Sequence, residues 1–206
     1  IILFSLNFYY GLALSFLGLF GINSSKSESQ FFKIENILKL SKVSEIKLKP
    51  LRKIEFNSNL NELNNLVKNN KDRNDKYLFI TNKGRWDGFI DDEILKAVSV
   101  KKWPCTFVGD FKKPINNFSC IYSHSELWKT IEKIEKTNRG LLLVLNAADI
   151  PLGIIDRNRI GYFVFNKLGL NLPKDIMGKF NNKNHYPLGL ELPRIVKIMK
   201  MRGDIE

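Results

Sequence analysis

Two short segments of the chain repeat a glycine, two apolar residues and an aspartate: GFID at 88–91 and GIID at 153–156. A carboxylate in this position can cap the free N–H groups of a helix or accept hydrogen bonds from the hydroxyl groups of a ligand. Two arginines follow the second copy, and an arginine can bind a phosphate through two parallel hydrogen bonds. The candidate ligand-binding residues are therefore Gly88, Asp91, Gly153, Asp156, Arg157 and Arg159.

These segments belong to a larger internal repeat with an offset of 65 residues. VSEI at 43–46 is echoed by VGDF at 108–111, and Pro50 by Pro114. Each half then predicts a strand (54–56 and 118–122), a helix, two strands joined by a tight turn (from 76–82 and 140–146 onward) and a second helix.

Helical spacing of apolar residues marks the first helix of each half. Ser58 and Ser123 are the predicted N-capping residues, and the second helices are predicted to begin at Asp91 and Asp156. The apolar residues predicted to face the core are Leu60, Leu63 and Val67 in one half and Leu127, Ile131 and Ile134 in the other.

A period this long exceeds that of solenoid repeats and indicates a tandem of small domains. A unit of about 60 residues buries little apolar surface alone, so we expect the two units to complete each other's core. The predicted fold class is α/β (α+β), with two βαββα units, 43–104 and 105–172, packed as a pseudo-twofold pair.

The charge of the chain restricts its partners. Lys and Arg number 33 against 21 Asp and Glu, which gives a net charge of +12. Such a charge suits nucleic acid, an anionic membrane surface or anionic ligands such as nucleotides. The basic residues are scattered and no RNA-binding motif is present, which argues against nucleic acid. Cys105 and Cys120 have no His at metal-ligand spacing, so we expect neither a disulfide framework nor a metal site, and a reducing compartment.

The first 25 residues contain no charged side chain, and their apolar run predicts a transmembrane helix over 1–25. Lys26 and Lys33 follow it. The positive-inside rule therefore predicts a membrane-bound protein whose remaining chain lies in the cytoplasm. Segment 26–42 is predicted to be a juxtamembrane connector, either plain or an amphipathic helix on the membrane surface. The chain begins with Ile rather than Met, which suggests part of a longer protein.

The C-terminal segment, 173–206, has Ile195, Ile198 and Met199 at a spacing that can place them on one helical face. Three alternatives are open for it: folding against the two units, contact with the anionic inner leaflet, or mobility.

The repeat resembles the CBS domain, which occurs in tandem and often binds adenine nucleotides in the cleft between its two copies. In that family the third strand ends in Gly-apolar-apolar-Ser/Thr-x-x-Asp, and the hydroxyl and the carboxylate hold the ribose. Here Asp91 and Asp156 stand at the Ser/Thr positions, and Ile94 and Arg159 stand at the Asp positions. The resemblance implies an adenine nucleotide as ligand, whereas these departures favour a structural helix-capping role for both aspartates.

The linker AVSVKKWPCTFVGDFKKP at 97–114, together with the apolar N-terminus, is similar to the C-terminal part of site-2 protease family intramembrane zinc metalloproteases of the cyanobacterial type. Such proteases need His-Glu-x-x-His, and this chain has only His124 and His185. The resemblance implies a zinc-binding protease domain upstream, while this chain supplies no catalytic or metal-binding residue and should be inactive alone.

The sequence therefore predicts a cytoplasmic regulatory region, with the membrane and its own upstream protease domain as partners and a homodimer formed through the pair. Two alternatives stay open: a degenerate pair that serves dimerisation or protein interaction, and the regulatory tail of an ion transporter.

Overall fold

The computed structural model describes residues 29–69, 77–170 and 185–206. Helix α1 covers 29–40. The first unit contains β1 (Lys53–Glu55), α2 (Leu60–Lys68), β2 (Tyr77–Asn82), β3 (Arg85–Asp91) and α3 (Ile94–Ala97). The second unit contains β4 (Cys120–Tyr122), α4 (Leu127–Glu135), β5 (Leu141–Leu145), β6 (Pro151–Asp156) and α5 (Arg157–Lys167), and α6 (Leu192–Met201) follows. Both units have the predicted βαββα order.

Each unit has one three-stranded sheet with the same topology. The first strand pairs in parallel with the second, and the second pairs antiparallel with the third. Ile80 faces Gly88 in one sheet as Val144 faces Gly153 in the other, and a β-bulge follows both pairs. The two halves of the sequence repeat therefore share the same strand register, including the position of the β-bulge.

The two sheets pack against each other because both of their faces are apolar. Alternate side chains point to opposite sides of a strand. Leu78 and Ile80 of β2 pack with α2, whereas the intervening Phe79 packs between the units with Leu143 of β5. The core between the units consists of Phe79, Phe89, Phe118, Leu141, Leu143 and Ile154. Full burial of one such side chain contributes about 1.5–3 kcal/mol.

The segment that opens each unit docks on the other unit. Val43 and Ile46 belong to the core of the second unit, and Val108 belongs to the core of the first. The backbone of Lys49 exchanges two hydrogen bonds with Ile154 of β6, both 2.9 Å long. Lys113 does the same with Phe89 of β3, at 2.8 and 2.9 Å. The contacts are reciprocal, so neither unit has a complete core without the other.

The repeated glycines lie where these segments cross the last strands. A Cβ atom on Gly88 would stand 2.6 Å from the carbonyl oxygen of Lys113. On Gly153 it would stand 2.8 Å from the carbonyl oxygen of Lys49 and from Cβ of Leu48. The two glycines therefore permit a close approach of backbone to backbone.

The predicted transmembrane helix at 1–25 lies outside the described residues. Over 29–69, 77–170 and 185–206, no helix has the length and apolar character needed to cross a membrane. In the described part of 26–42, residues 29–40 form an amphipathic helix and not a plain connector, but the apolar face of this helix lies on the protein and not on the surface. Its apolar residues pack on the second unit: Leu38 is buried, and Phe31, Ile34 and Ile37 surround it.

The end of the C-terminal segment also folds against the second unit. Helix α6 packs along α4 and buries Leu192, Ile195, Val196 and Met199. Arg202, just after α6, forms an ion pair with Glu35 of α1. Pro187 packs directly on Gly161 of α5. Folding against the two units is the alternative that the structure shows for 185–206.

Three predicted helix caps are wrong. Helix α2 is capped by Asn59, whose side chain accepts from the amide of Glu62, and not by Ser58. The N-cap position of α4 is Glu126, and Ser123 instead bonds to Leu145 through its backbone. Asp91 is the last residue of β3 and lies three residues before the start of α3. Helix α3 is a single short turn, and Glu93 occupies its N-cap position.

We predict that Gly153→Ala destabilises the chain. The added methyl group meets backbone of the crossing segment, and overpacking of this kind costs about 1–3 kcal/mol, more than the gain from a less flexible unfolded chain. Denaturant titration measures the free energy of unfolding. Leu152→Ala, at a half-exposed residue of the same strand, is the control and should change stability by less than about 0.5–1 kcal/mol. Equal stability of the two variants would contradict the close approach.

We also predict that Gly161→Ala releases the C-terminal segment. A Cβ atom on Gly161 would lie 2.3 Å from Cδ of Pro187, whose ring cannot rotate away. Limited proteolysis should therefore cleave 185–206 faster in the variant than in the natural chain. If the variant resists the protease as well as the natural chain does, the contact between Gly161 and Pro187 accommodates the added methyl group. The greater helix propensity of Ala would then be the main effect of the substitution.

Candidate functional site

The candidate residues lie at two equivalent places, where the last strand of a unit meets the segment that opens the other unit. We call the place built from Gly88, Asp91, Lys112 and Lys113 the first cleft. We call the place built from Gly153, Asp156, Arg159, Lys47 and Lys49 the second cleft. The structure thus brings five of the six predicted site residues to the two clefts and separates them by unit.

The second cleft contains the beginning of helix α5. The carboxylate of Asp156 accepts a hydrogen bond of 2.9 Å from the amide of Arg159, which confirms the predicted cap. The side chain of Arg159 crosses to the opening segment, where its Nη1 donates to the carbonyl oxygen of Lys47 over 2.5 Å. Because Asp156 caps α5, its negative charge interacts with the N-terminal backbone amides of that helix.

The first cleft is built differently. The carboxylate of Asp91 binds Nζ of Lys113, and that of Asp87 binds Nζ of Lys112 at 2.9 Å. Ile94, at the position that corresponds to Arg159, packs against the core of the first unit. The two lysines that face this cleft are therefore each paired with a carboxylate.

An aromatic cluster lies beside the first cleft. The guanidinium carbon of Arg139 is 5.4, 5.4 and 5.0 Å from the ring centres of Tyr77, Phe89 and Phe118. Nη1 of Arg139 also donates to the carbonyl oxygen of Asn117 over 2.9 Å. A planar cation packed against aromatic rings gains cation–π energy, so Arg139 covers this aromatic cluster.

The two clefts therefore differ in charge. In the first, Lys112 and Lys113 are balanced by Asp87 and Asp91. In the second, Leu48 and Leu152 stand at the positions of Lys112 and Asp87, while Lys47, Lys49 and Arg159 supply cations. Against the single carboxylate of Asp156, which caps the eleven-residue helix α5, these cations give the second cleft a net positive charge.

Arg157 faces away from the second cleft. Its Nε donates to the carboxylate of Glu135 over 2.8 Å, and its side chain is 11% exposed. The hydroxyl of Tyr186 donates to the same carboxylate over 3.3 Å, and burial, together with this carboxylate, raises the pKa of Tyr186. These three residues, with His185 and Arg194, line a cavity of about 560 Å³ between α5 and the C-terminal segment. Arg157 thus serves the attachment of that segment.

Sequence reasoning missed the lysines of the opening segments and Arg139. The lysines left a signal, because Lys-Pro occurs at 49–50 and again at 113–114, at matching places of the repeat. Arg139 left none, since its contacts come from residues distant in the chain. Among the described residues, no group of three or more His, Cys, Asp or Glu side chains is placed to hold a metal ion.

Comparison with known proteins bears on the fold. No family model and no curated protein matches the sequence. The CBS domain of a bacterial CNNM/CorC family Mg²⁺ transporter superposes with a TM-score of 0.52 at 14% identity, covering 76% of this chain and 96% of that chain. The structure of such a domain in complex with ATP gives 0.52 at 13% identity, with 71% and 99% covered.

A CBS domain-containing protein from Bacillus anthracis str. Ames Ancestor gives a TM-score of 0.50 at 11% identity, with 67% of this chain and 99% of that chain covered. At these identities the likeness shows fold alone. The reciprocal packing of two βαββα units and these superpositions lead to the same result: the chain has the fold of a tandem CBS-domain pair.

Proposed function

We propose that this chain is a regulatory CBS pair that binds an adenine nucleotide, with the phosphates in the second cleft. The observation that carries the proposal is the difference in charge between two clefts that share the same strand register and the same backbone crossing. The first cleft pairs Lys112 and Lys113 with carboxylates, whereas in the second Arg159 donates to a backbone carbonyl oxygen and stands, with Lys47, at the start of a helix. Cations at a helix N-terminus favour the binding of phosphate.

Three further points support the proposal. The net charge of +12 attracts anionic ligands over a distance. Arg159 is already close to the cleft and is held there by a single carbonyl oxygen, which a phosphate can replace as acceptor. A CBS domain of the same fold has been solved with ATP bound. In this proposal Asp156 keeps its role as helix cap, and Arg159 takes the place of the family's ribose-binding carboxylate.

The alternative is a degenerate pair that has lost its ligand and serves dimerisation or protein interaction. The first cleft favours this alternative for its own half, since Asp91 and Arg139 are both engaged in contacts within the chain. We therefore propose one nucleotide site per chain, in the second cleft.

We also propose that the pair regulates a membrane-embedded protein. The uncharged N-terminal segment supports a membrane anchor, and α1 connects that segment to the second unit. The linker at 97–114 favours a zinc metalloprotease of the site-2 family as the regulated protein. The structural neighbours include the CBS domain of a Mg²⁺ transporter, which favours the ion-transporter alternative.

We predict that the full chain gains thermal stability on addition of ATP, with smaller gains for ADP and AMP because they carry fewer phosphates. A ligand present at one hundred times its Kd stabilises the folded state by about 2.7 kcal/mol. S-adenosylmethionine has no phosphate and should give the smallest change in Tm. If none of these ligands changes the Tm, nucleotide binding is contradicted. The remaining hypothesis is then a pair that serves dimerisation or protein interaction.

Arg159→Ala should weaken ATP binding about tenfold or more, since a hydrogen bond to a charged group contributes about 1.5–3 kcal/mol. Isothermal titration calorimetry gives both Kd and stoichiometry. The matched control is Arg194→Ala, which removes an exposed arginine of the C-terminal segment. Lys113→Ala, in the first cleft, should also keep the affinity and the stoichiometry of one. A loss caused by Lys113→Ala but not by Arg159→Ala would place the ligand in the first cleft.

The identity of the regulated protein can be tested by determining the coding sequence upstream of Ile1. We expect His-Glu-x-x-His on an apolar segment there, because the protease needs two imidazoles one helical turn apart to hold zinc. The polytopic core of a transporter in its place would contradict the protease and support the other alternative.

A further inference from the structure

The segment that joins α1 to the first unit, 41–49, is attached to the second unit along its whole length. The carbonyl oxygen of Ser41 accepts from the amide of Leu127, over 3.0 Å. The amides of Val43 and Ser44 donate to Ser125 and Ser123, over 3.0 and 2.8 Å. Lys49 then pairs with β6. Any change in the position of this segment therefore reaches α1 directly.

Helix α5 adds two side-chain contacts to this attachment, one from each of its ends. At its beginning, Arg159 binds the carbonyl oxygen of Lys47 over 2.5 Å. At its end, Nζ of Lys167 binds the carboxylate of Glu45 over 2.9 Å. The bond from Lys167, followed by one from the amide of Lys42, holds the pKa of Glu45 below its usual value. We call these two contacts the α5 clasp.

The first unit provides an internal comparison. Its counterpart segment, 106–113, makes the same kind of backbone contacts, from Val108 and Gly109 to Ser58 and Phe56 and from Lys113 to Phe89. However, Ile94 stands where Arg159 stands and has no side-chain donor. The counterpart of Lys167 is Lys102, which lies beyond the end of α3 in the 3₁₀ helix Val100–Cys105, and in the described part of the chain it forms no ion pair with Asp110, the counterpart of Glu45. The clasp is therefore an addition to the fold at the one opening segment that leads to α1.

Arg159 belongs both to the clasp and to the second cleft. A phosphate is a stronger acceptor for a guanidinium group than a backbone carbonyl, because both partners are then charged. The guanidinium group has five N–H donors and uses Nη1 on Lys47, so a phosphate competes with Lys47 where its bidentate contact turns Nη1 away from the carbonyl oxygen. A ligand that turns the guanidinium group in this way removes one of the two side-chain contacts that hold 41–49.

We propose that phosphate binding in the second cleft opens the α5 clasp at Arg159, loosens segment 41–49 and thereby transmits ligand occupancy to α1. This inference rests on the proposed function, since it assigns a conformational output to the same site. It also makes Lys167 a coupling residue, although Lys167 lies at the far end of α5 from the cleft. Because coupling is reciprocal, a change that weakens the clasp without removing a ligand contact, such as loss of the Lys167–Glu45 ion pair, must strengthen ligand binding.

The test is amide hydrogen exchange of the full chain, followed by mass spectrometry, with and without ATP. Without ligand, Arg159→Ala and Lys167→Ala should each raise exchange at Val43, Ser44 and Ile46 several-fold. Segment 106–113 is the internal reference and should not change. Arg194→Ala serves as the matched control, and thermal unfolding verifies that each variant is folded. Unchanged exchange at 43–46 in both clasp variants would overturn the inference.

With ATP, the natural chain should show the same several-fold rise at 43–46 and none at 106–113, while Arg159→Ala should show no additional rise. Lys167→Ala should bind ATP a few-fold more tightly than the natural chain, a result that a merely structural lysine would not produce. ATP binding without a change in exchange at 43–46 would overturn the inference and leave the proposed function intact. No ATP binding by calorimetry would overturn both.

Discussion

The fold depends on two points of contact between backbones, at Gly88 and Gly153. At each of them the segment that opens one unit crosses the last strand of the other unit so closely that a single Cβ atom would collide with it. These crossings bring Val43 and Ile46 into the second core and Val108 into the first. They also create the clefts, because the lysines of the opening segments then lie beside the ends of β3 and β6. The pairing of the units, the completion of their cores and the position of the candidate site thus all follow from these two crossings.

Given this common frame, the two units differ in the side chains at the clefts and in the length of one helix. Helix α3 is four residues long, whereas α5 has eleven residues and begins at the cleft. The longer helix presents Arg159 to the second cleft, Arg157 and Gly161 to the C-terminal segment, and Lys167 to Glu45. One helix therefore connects the candidate ligand site with both segments that flank the pair. In the first unit, the ion pair of Lys113 with Asp91 stands at the corresponding place, and Arg139 packs on the aromatic rings beside it.

The second unit consequently carries the additional parts of the molecule. Helices α1 and α6 share its core, and Arg202 joins them through Glu35. The contact from Arg159 to Lys47 connects the second cleft to segment 41–49 and so to α1. Ile94 stands at the equivalent position of the first unit and packs in its core, so the first unit has no such contact among the described residues.

The sequence by itself determined what local pattern and repetition encode. Apolar spacing predicted the strands and the first helices, Asp156 was correctly identified as a cap, and the 65-residue repeat predicted two βαββα units. Its errors at Ser58, Ser123 and Asp91 arose because the chain offers several capping residues near each helix start, and packing selects among them. Only the tertiary structure decided that the glycines serve a backbone crossing, that Arg157 and Arg159 face opposite partners, and that Arg139 packs on the aromatic rings beside the first cleft. Each of these depends on contacts between residues far apart in the chain, and local preference carries no information about such contacts.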